Sequence, residues 1–518
     1  MREYAFSGNI NDLKIVDFDV VIAGSGIAGL YSALNLDSRL SCVVLNKLGE
    51  EESNSIYAQG GIASVQVEGD TWKSHFDDTL VAGAGICDKN AVEVLVKEGI
   101  EDIQKLIDFS VPFDKDENNN ISVSMEGAHS FNRILHCGGD ATGLHITKTL
   151  LNIVLQRQNI TYLNNVTLID ILTDNNNDVI GIIGQDKSGK YIFFRSSNVI
   201  VASGGIGRIY RNSTNASCAT GDGIAASIRA GAEVSNMEFV QFHPTALIHP
   251  DLNMRYFLIS EALRGEGGVL RNRKWEAFMK PVHPMADLAP RDIVSRAIVS
   301  EMKKSDLPYV YLDITSKSRE FLSKRFPIIY EECMKRGIDI AVNWIPVVPV
   351  QHYFMGGIKT DINGKTNING LYACGESSCT GVHGGNRLAS NSLLECLVFG
   401  RRCAIDINGL SVKKPNSLKP LDNKKSNEEF DFDTCRTKIR DTMTKKGGII
   451  RNEKELSQAV VTIGDFNNKL KDIALNNRVG VETLNMSTVS LSILNAAIER
   501  KESLGAHYRN DDIQEEKV

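Results

Sequence analysis

The stretch FDVVIAGSGIAGLYSALNL, residues 18–36, decides the fold. A short apolar run, Val20 to Ala23, leads into Gly24-Ser25-Gly26-Ile27-Ala28-Gly29 and then into a helical pattern carried by Leu30, Ala33 and Leu34. This reads as strand, tight turn and helix. Gly24 permits the turn, Gly26 lets backbone approach a pyrophosphate, and Gly29 allows close helix–strand packing. Unpaired N–H groups and the positive end of the helix dipole then favour phosphate. A lone Gly-x-Gly-x-x-Gly is weak, but this context predicts a dinucleotide site at Gly24, Ser25, Gly26, Ile27, Ala28 and Gly29. A second strand, Cys42–Leu45, ends at Asn46 and Lys47. The ribose-binding carboxylate usual about 20 residues on is missing, which weakens the case for NAD.

Two more glycine-ended strand signals follow, NVIVASGGIG (198–207) and NGLYACGE (369–376). Their separation predicts a discontinuous nucleotide domain, 1–235 and 349–410, with an insertion at 236–348. The insertion holds Trp275, Trp344 and one clear helix. Pro290 suits its first position, and Ile293, Val294, Ala297, Ile298 and Met302 form its apolar stripe. A Lys/Asn/Ser/Pro-rich stretch within 411–431 reads as a solvated linker. Beyond it, in 432–518, three helices are expected near 432–446, 453–476 and 481–503. Gly447-Gly448 closes the first, and Asn452 with Glu455 forms a capping box for the second. The final NDDIQEEKV is expected to fray.

Length agrees with this division: 518 residues at roughly 150 per domain suggest about three domains. With 42% apolar and 24% charged residues, a packed core is expected and disorder is not. A net charge of −6 argues against nucleic acid as a partner. The ten cysteines include no CxxC or CxxH pair, so the metal assignment is none and the thiols are expected to be free in a reducing compartment. No apolar run approaches the ~18–20 residues that span a bilayer. The N-terminal segment carries charges rather than an apolar signal, so the expected location is cytoplasmic.

Chemistry is expected in four polar clusters: Gln241 with His243, His352 beside Gly356-Gly357, Arg387 within GGNRLASNSLL, and Arg291. A planar guanidinium matches a carboxylate, although a surface salt bridge is the ordinary alternative. Arg291 breaks a local rule, because a cation in the first turn of a helix opposes the macrodipole by up to ~1 kcal/mol. Residues that break local rules are functional candidates. Its alternative is an exposed arginine paired with Asp287 or Asp292. Two arginines and two histidines would together suit a dicarboxylate, but spacing alone does not bring them together. Glu126, after the Asn118–Asn120 loop, reads by itself as an ordinary exposed loop acid.

Assembled, these segments resemble the fumarate reductase/succinate dehydrogenase flavoprotein superfamily, and within it the L-aspartate oxidases. The matching motifs run from GSGIAGL (24–30) and SNSIYAQGGIA (53–63) through EGAHSFNRILHCGGDATG (126–143) and EFVQFHPT (238–245). They continue through LAPRDIVSRAI (288–298), HYFMGGI (352–358) and GVHGGNRLASNSLLE (381–395) to RKESLGAHYR (500–509). The resemblance implies an α/β fold: a discontinuous Rossmann-like FAD-binding domain, an inserted α+β capping domain and a C-terminal helical bundle. It also implies FAD contacts at Lys47, Asn54, Ser55, Ala58, Gln59, Gly60, Gly61, Asp222, Glu376, Asn391, Ser392 and Leu393. His243, His352 and Arg387 would hold substrate carboxylates, with Gln241 and Ser260 nearby. Ser260 stands where the best-known aspartate oxidases have threonine, and it keeps the hydroxyl.

In respiratory members a histidine before the AQGG segment tethers the flavin. Asn54 stands there in this chain, so the implied FAD is noncovalent. Glu126 lies where aspartate oxidases carry glutamate and their dicarboxylate relatives generally do not. Aspartate differs from succinate by an ammonium, and a buried cation needs a counter-charge. Arg291 aligns with the assigned proton donor/acceptor, although a guanidinium is a poor acceptor. It could instead only position a carboxylate. The implied reaction is hydride transfer from aspartate Cα to flavin N5, giving iminoaspartate. Reoxidation would be by O₂ (giving H₂O₂) or by fumarate (giving succinate), with hand-off to quinolinate synthase in NAD biosynthesis. A soluble fumarate reductase and a noncatalytic flavoprotein subunit or redox-sensing module are the competing readings.

Overall fold

The computed structural model describes residues 4–248, 255–411, 422–423 and 425–511. In chain order, the elements framing the site are β1 (Val20–Ala23), α1 (Ile27–Asn35), β2 (Cys42–Asn46), β3 (Ile160–Asn164), β4 (Val199–Val201), α2 (Asp222–Ala230), β5 (Val240–Leu247), α3 (Arg291–Ser305), β6 (Ile345–Phe354), β7 (Leu371–Ala373) and α4 (Asn391–Asn408). Five strands in the order β7-β4-β1-β2-β3 form one parallel sheet. Its central strand is buried at every residue, as a parallel sheet covered on both faces requires. The expected strand over 198–207 is only the three residues of β4. After it the chain leaves the sheet for the glycine turn and a short 3₁₀ turn, Gly207–Ile209.

The turn after β1 needs its glycines for the reasons read from sequence. Gly24 has φ +123°, and a Cβ there would stand 2.1 Å from the Ala202 carbonyl oxygen. A Cβ on Gly29 would stand 2.0 Å from the Gly24 oxygen. Such contacts exclude any side chain. Helix α4 also crosses α1 closely, since a Cβ on Gly400 would lie 2.9 Å from Ala28 O.

The insertion folds around an antiparallel sheet. Its order is Phe257–Leu258, β5, β6, Val310–Asp313, Val269–Arg271. Leu247, Leu263, Val294, Ile298, Leu312 and Ile345 belong to a separate apolar cluster beneath it. Strand β6 runs straight through the expected 348/349 boundary, so the two units share a strand rather than meeting at a linker. Pro290 is the N-cap of α3 and Arg291 its first residue, one position later than the proline preference suggested.

Three C-terminal helices follow: α5 (Phe432–Lys446), α6 (Glu453–Asp472) and α7 (Arg478–Glu499). Asn452 caps α6, accepting from Glu455 N at 2.9 Å, while Glu455 Oε2 takes the Asn452 amide. The second helix stops four residues before its expected end. The third starts three residues earlier than expected, at its own cap Asn477, which accepts from Gly480 N. These helices have no private core. Ile439, Leu456, Val481 and Ile493 share one buried cluster with Val21, Val43 and Val240.

Much of the expected linker, 412–421 and 424, lies outside the described residues, as does 512–518 of the expected frayed end. Asp422–Asn423 pairs with Gly8–Asn9, and Asn510 N donates to Arg451 O, so the ends of both segments are tied down. Among the described residues, no helix is long and apolar enough to cross a membrane and no metal-binding cluster occurs.

Candidate active site and cofactor cleft

A cleft of about 1700 Å³ runs from the glycine turn to the capping sheet. Gly24, Ser25, Gly26, Ala28, Lys47, Asn54, Ser55, Ala58, Gln59, Gly60, Gly61, Asp222, Glu376, Ser392 and Leu393 line it, together with Glu126, His243, Ser260, Arg291, His352 and Arg387. Four expected residues do not reach it. The Ile27 side chain is buried in the core, and only its N–H serves, donating to Ser55 Oγ at 3.0 Å. Gly29 is consumed by packing against Gly24. Asn391 turns away to His75 Nε2 and Thr79 Oγ1. Gln241 stands behind the cleft, accepting from Arg291 Nη1 at 3.0 Å and donating to Arg387 O at 3.0 Å.

The nucleotide end suits an anionic, extended cofactor. Helices α1 and α4 begin without a side-chain cap, at Gly26 and Ser390, which leaves first-turn N–H groups for a ligand. Gln59 Oε1 and Arg387 Nε are buried with no hydrogen-bond partner among the described residues. Such orphans call for a ligand to satisfy them. Lys47 is held by two carboxylates, Asp222 and Glu482, each at 2.7 Å. Burial would depress its ammonium, but the two anions outweigh this and hold it up at about 12. Burial lifts the Glu376 carboxyl to about 7. Asn54 donates to Glu376 Oε2 at 3.3 Å and accepts from Ala216 N at 2.8 Å. An amide so placed is no nucleophile for a flavin.

At the other end the polar side chains converge. Arg291 is buried and donates through Nε to Glu261 Oε2 at 2.6 Å. Asp292 instead pairs with Arg296, and the Asp287 carboxylate takes Leu270 N, so neither alternative partner for Arg291 is used. Arg264 flanks Glu261 at 3.4 Å. Burial raises the Glu261 carboxyl, but Arg291 and Arg264 outweigh it and keep Glu261 below its ordinary value.

The His243 and His352 rings lie 5.1 Å apart. Burial and then the Arg291 charge push both well below the usual imidazole value, so both are neutral. Thr245 N donates to His243 Nδ1, which places the His243 proton on Nε2. Arg387 lies 4.4 Å over the Tyr353 ring and donates to Ser392 Oγ at 2.9 Å. Burial and the neighbouring Arg291 lower it to about 10.

Glu126 is buried, not an exposed loop acid. It accepts from Ser390 Oγ at 2.5 Å and from the Gly61 N–H, and it forms no ion pair among the described residues. Burial, reinforced by nearby Glu261, raises its pKa. Sequence reasoning missed Glu261, Ser390 and Tyr353. Each adjoins a residue that was chosen, but nothing local marks it.

A family model described as FAD binding domain matches residues 19–393, and one described as Fumarate reductase flavoprotein C-term matches 436–517. An L-aspartate oxidase 1 of Ralstonia nicotianae is 42% identical over 96% of each chain. An L-aspartate oxidase of Yersinia pestis is 41% identical over 95% of this chain and 96% of its own. The chain belongs to the L-aspartate oxidase family. Its fold is that of the wider flavoprotein superfamily. A chain of E. coli quinol fumarate reductase superimposes with TM-score 0.89 at 28% identity, covering 96% of this chain and 92% of its own.

FAD is the cofactor of this L-aspartate oxidase family member, and the cleft fits it: the glycine turn, both uncapped helix starts and the orphaned Gln59 and Arg387 all line it. With Asn54 at the tether position, precipitation in acid or denaturant is expected to leave all yellow colour in the supernatant. Colour retained by the washed protein pellet would overturn noncovalent binding.

Proposed function

We propose that this chain oxidises L-aspartate to iminoaspartate with noncovalent FAD, and that O₂ or fumarate then takes the electrons. One observation carries the reading. Arg291 and Arg264 share Glu261, whereas Arg387 and Glu126, both buried and both lining the cleft, have no ion-pair partner among the described residues. Aspartate, with two carboxylates and one ammonium, complements both: a carboxylate pairs with Arg387, and the ammonium supplies the partner Glu126 lacks. A buried charge left alone costs several kcal/mol, so this match discriminates between ligands.

FAD, when bound, supplies the acceptor for the hydride leaving Cα. The chain does the rest. His243 and His352, being neutral, donate N–H groups to the carboxylates, and Arg387 neutralises one of them. Glu126 orients the ammonium. As the Cα–N bond becomes C=N, the released proton passes to Arg291, which hands one of its own to Glu261 at 2.6 Å. An ionised carboxylate in contact answers the objection that a guanidinium accepts protons poorly. Run in reverse, the same pair delivers a proton to fumarate. Iminoaspartate is a reactive imine that needs a prompt consumer, and quinolinate synthase in NAD biosynthesis is the proposed one.

Anaerobic addition of L-aspartate is expected to bleach the bound flavin within a turnover. Persistent yellow absorbance would overturn the assignment. Turnover of fumarate with an artificial donor, without that bleaching, would favour a soluble fumarate reductase.

A further inference from the structure

Ser390 departs from its expected local behaviour in three respects. It is the N-cap of α4, yet its side chain caps nothing. An N-cap serine ordinarily has extended backbone and turns its oxygen onto the N–H groups of its own helix. Ser390 instead has φ +62° and ψ 0°, the left-handed region that side chains other than glycine avoid. Its hydroxyl points out of the helix and donates to Glu126 Oε2 at 2.5 Å. Strain and an abandoned cap at one buried residue mark a position held for function.

The surroundings hold that geometry firmly. Ala63 N donates to Ser390 O. Ile62–Ala63 pairs with Ile134–Leu135, which pairs in turn with Val123–Ser124, two residues before Glu126. His129 Nε2 lies 3.0 Å from Ala389 O and ties the far side of the Glu126 loop to the same turn. The Glu126 loop and the start of α4 are therefore tied together on both sides. With one oxygen taken by Ser390, the carboxylate cannot rotate freely.

We propose that Ser390 is a specificity-determining positioning residue: its hydroxyl fixes the Glu126 carboxylate, in ionised form, for the substrate ammonium. The inference rests on the ammonium-binding reading of Glu126. A hydroxyl donating to a carboxylate favours the charged form, so its loss has a sign as well as a size.

The test compares Ser390→Gly, which keeps the left-handed backbone unstrained, with Ser390→Ala, Glu126→Gln and the double variant Ser390→Gly/Glu126→Gln, all as flavin-loaded enzyme. The readout is the ratio of kcat/KM for L-aspartate to that for fumarate, together with the pH profile. Both single Ser390 variants are expected to lower the ratio about tenfold, chiefly through the KM for aspartate, and to move the acid limb of the aspartate profile to higher pH. In the Glu126→Gln background, the Ser390 change is expected to cost nothing further. An unchanged ratio in the Ser390 variants, with Glu126→Gln still lowering it, overturns the role of Ser390 and leaves that of Glu126 standing. A ratio unchanged in Glu126→Gln as well overturns both. Equal losses on the two substrates would reduce Ser390 to a structural residue.

Discussion

Arg291→Leu is expected to lower kcat for L-aspartate oxidation by about 10³-fold or more, with FAD retained. Three facts carry the size. Arg291 lines the cleft and is anchored there by Glu261. Two of its N–H groups are already spent on Glu261 Oε2 and Gln241 Oε1, so its orientation is fixed and the remaining donors can face a ligand. Its charge is also the strongest of the neighbouring charges that keep both histidines neutral. Electrostatic groups preorganised in a dry site typically contribute 10²–10³ each, and a proton-transfer role adds to that.

Leucine also leaves Glu261 buried with only Arg264, and breaking a buried pair costs about 3–5 kcal/mol of stability. Flavin content and Tm must therefore accompany the kinetics, and Arg291→Lys serves as the milder variant. The split between kinetic constants decides the role. If Arg291 passes the proton, kcat collapses while KM stays within about tenfold. If it only positions a carboxylate, KM rises and kcat survives. Substantial kcat in a flavin-loaded Arg291→Leu enzyme would remove it from the mechanism.

Local chemistry made parts of this site readable and hid others. The glycines at 24, 26 and 29 announce themselves, because each excludes a side chain for a backbone reason that is short in sequence. Arg291 stood out because it opposes its own helix dipole, but its compensating anion is Glu261, contributed by a turn before the Ala262–Gly265 helix. No periodicity connects the two. The start of α4 shows the limit most clearly. Ser390, Asn391 and Ser392 are consecutive, yet Ser390 turns to Glu126, Asn391 to His75 and Thr79, and Ser392 to Arg387. A motif can nominate all three but cannot say which way each points. Lys47, expected to contact the cofactor, lines the cleft and also pairs with Glu482 on α7 at 2.7 Å. The third helical unit therefore reaches the nucleotide end of the cleft, a tertiary fact with no local signature.

Glu126 gives the second large expectation, a pH dependence of opposite sign for the two ligands. Its carboxyl titrates above the ordinary glutamate value because burial and the Glu261 charge outweigh the help from Ser390 and Arg291. Aspartate needs Glu126 ionised, since its ammonium must be paired. As pH falls through the raised pKa, Glu126 takes up a proton and kcat/KM for aspartate falls with it. Fumarate carries two negative charges and no ammonium. Protonating Glu126 removes one negative charge from the pocket, which favours a dianion. Acidification over the same range should therefore lower the KM for fumarate. The histidines add no limb near their ordinary value, because both are neutral well below it.

Glu126→Gln keeps the shape and removes the charge. The expected loss in kcat/KM for aspartate is about 100-fold or more, in line with the ~3–5 kcal/mol for unpairing a buried ion. Fumarate reduction should change less than about fivefold, with an unchanged or lower KM. Both pH limbs assigned to this group should vanish together in Glu126→Gln. Parallel profiles for the two ligands in the unaltered enzyme would sink the assignment, whatever the variant does. Opposite slopes that flatten in Glu126→Gln would place selection between an amino acid and a dicarboxylate on one protonation event, at a carboxylate that among the described residues is held by a hydroxyl and a backbone N–H.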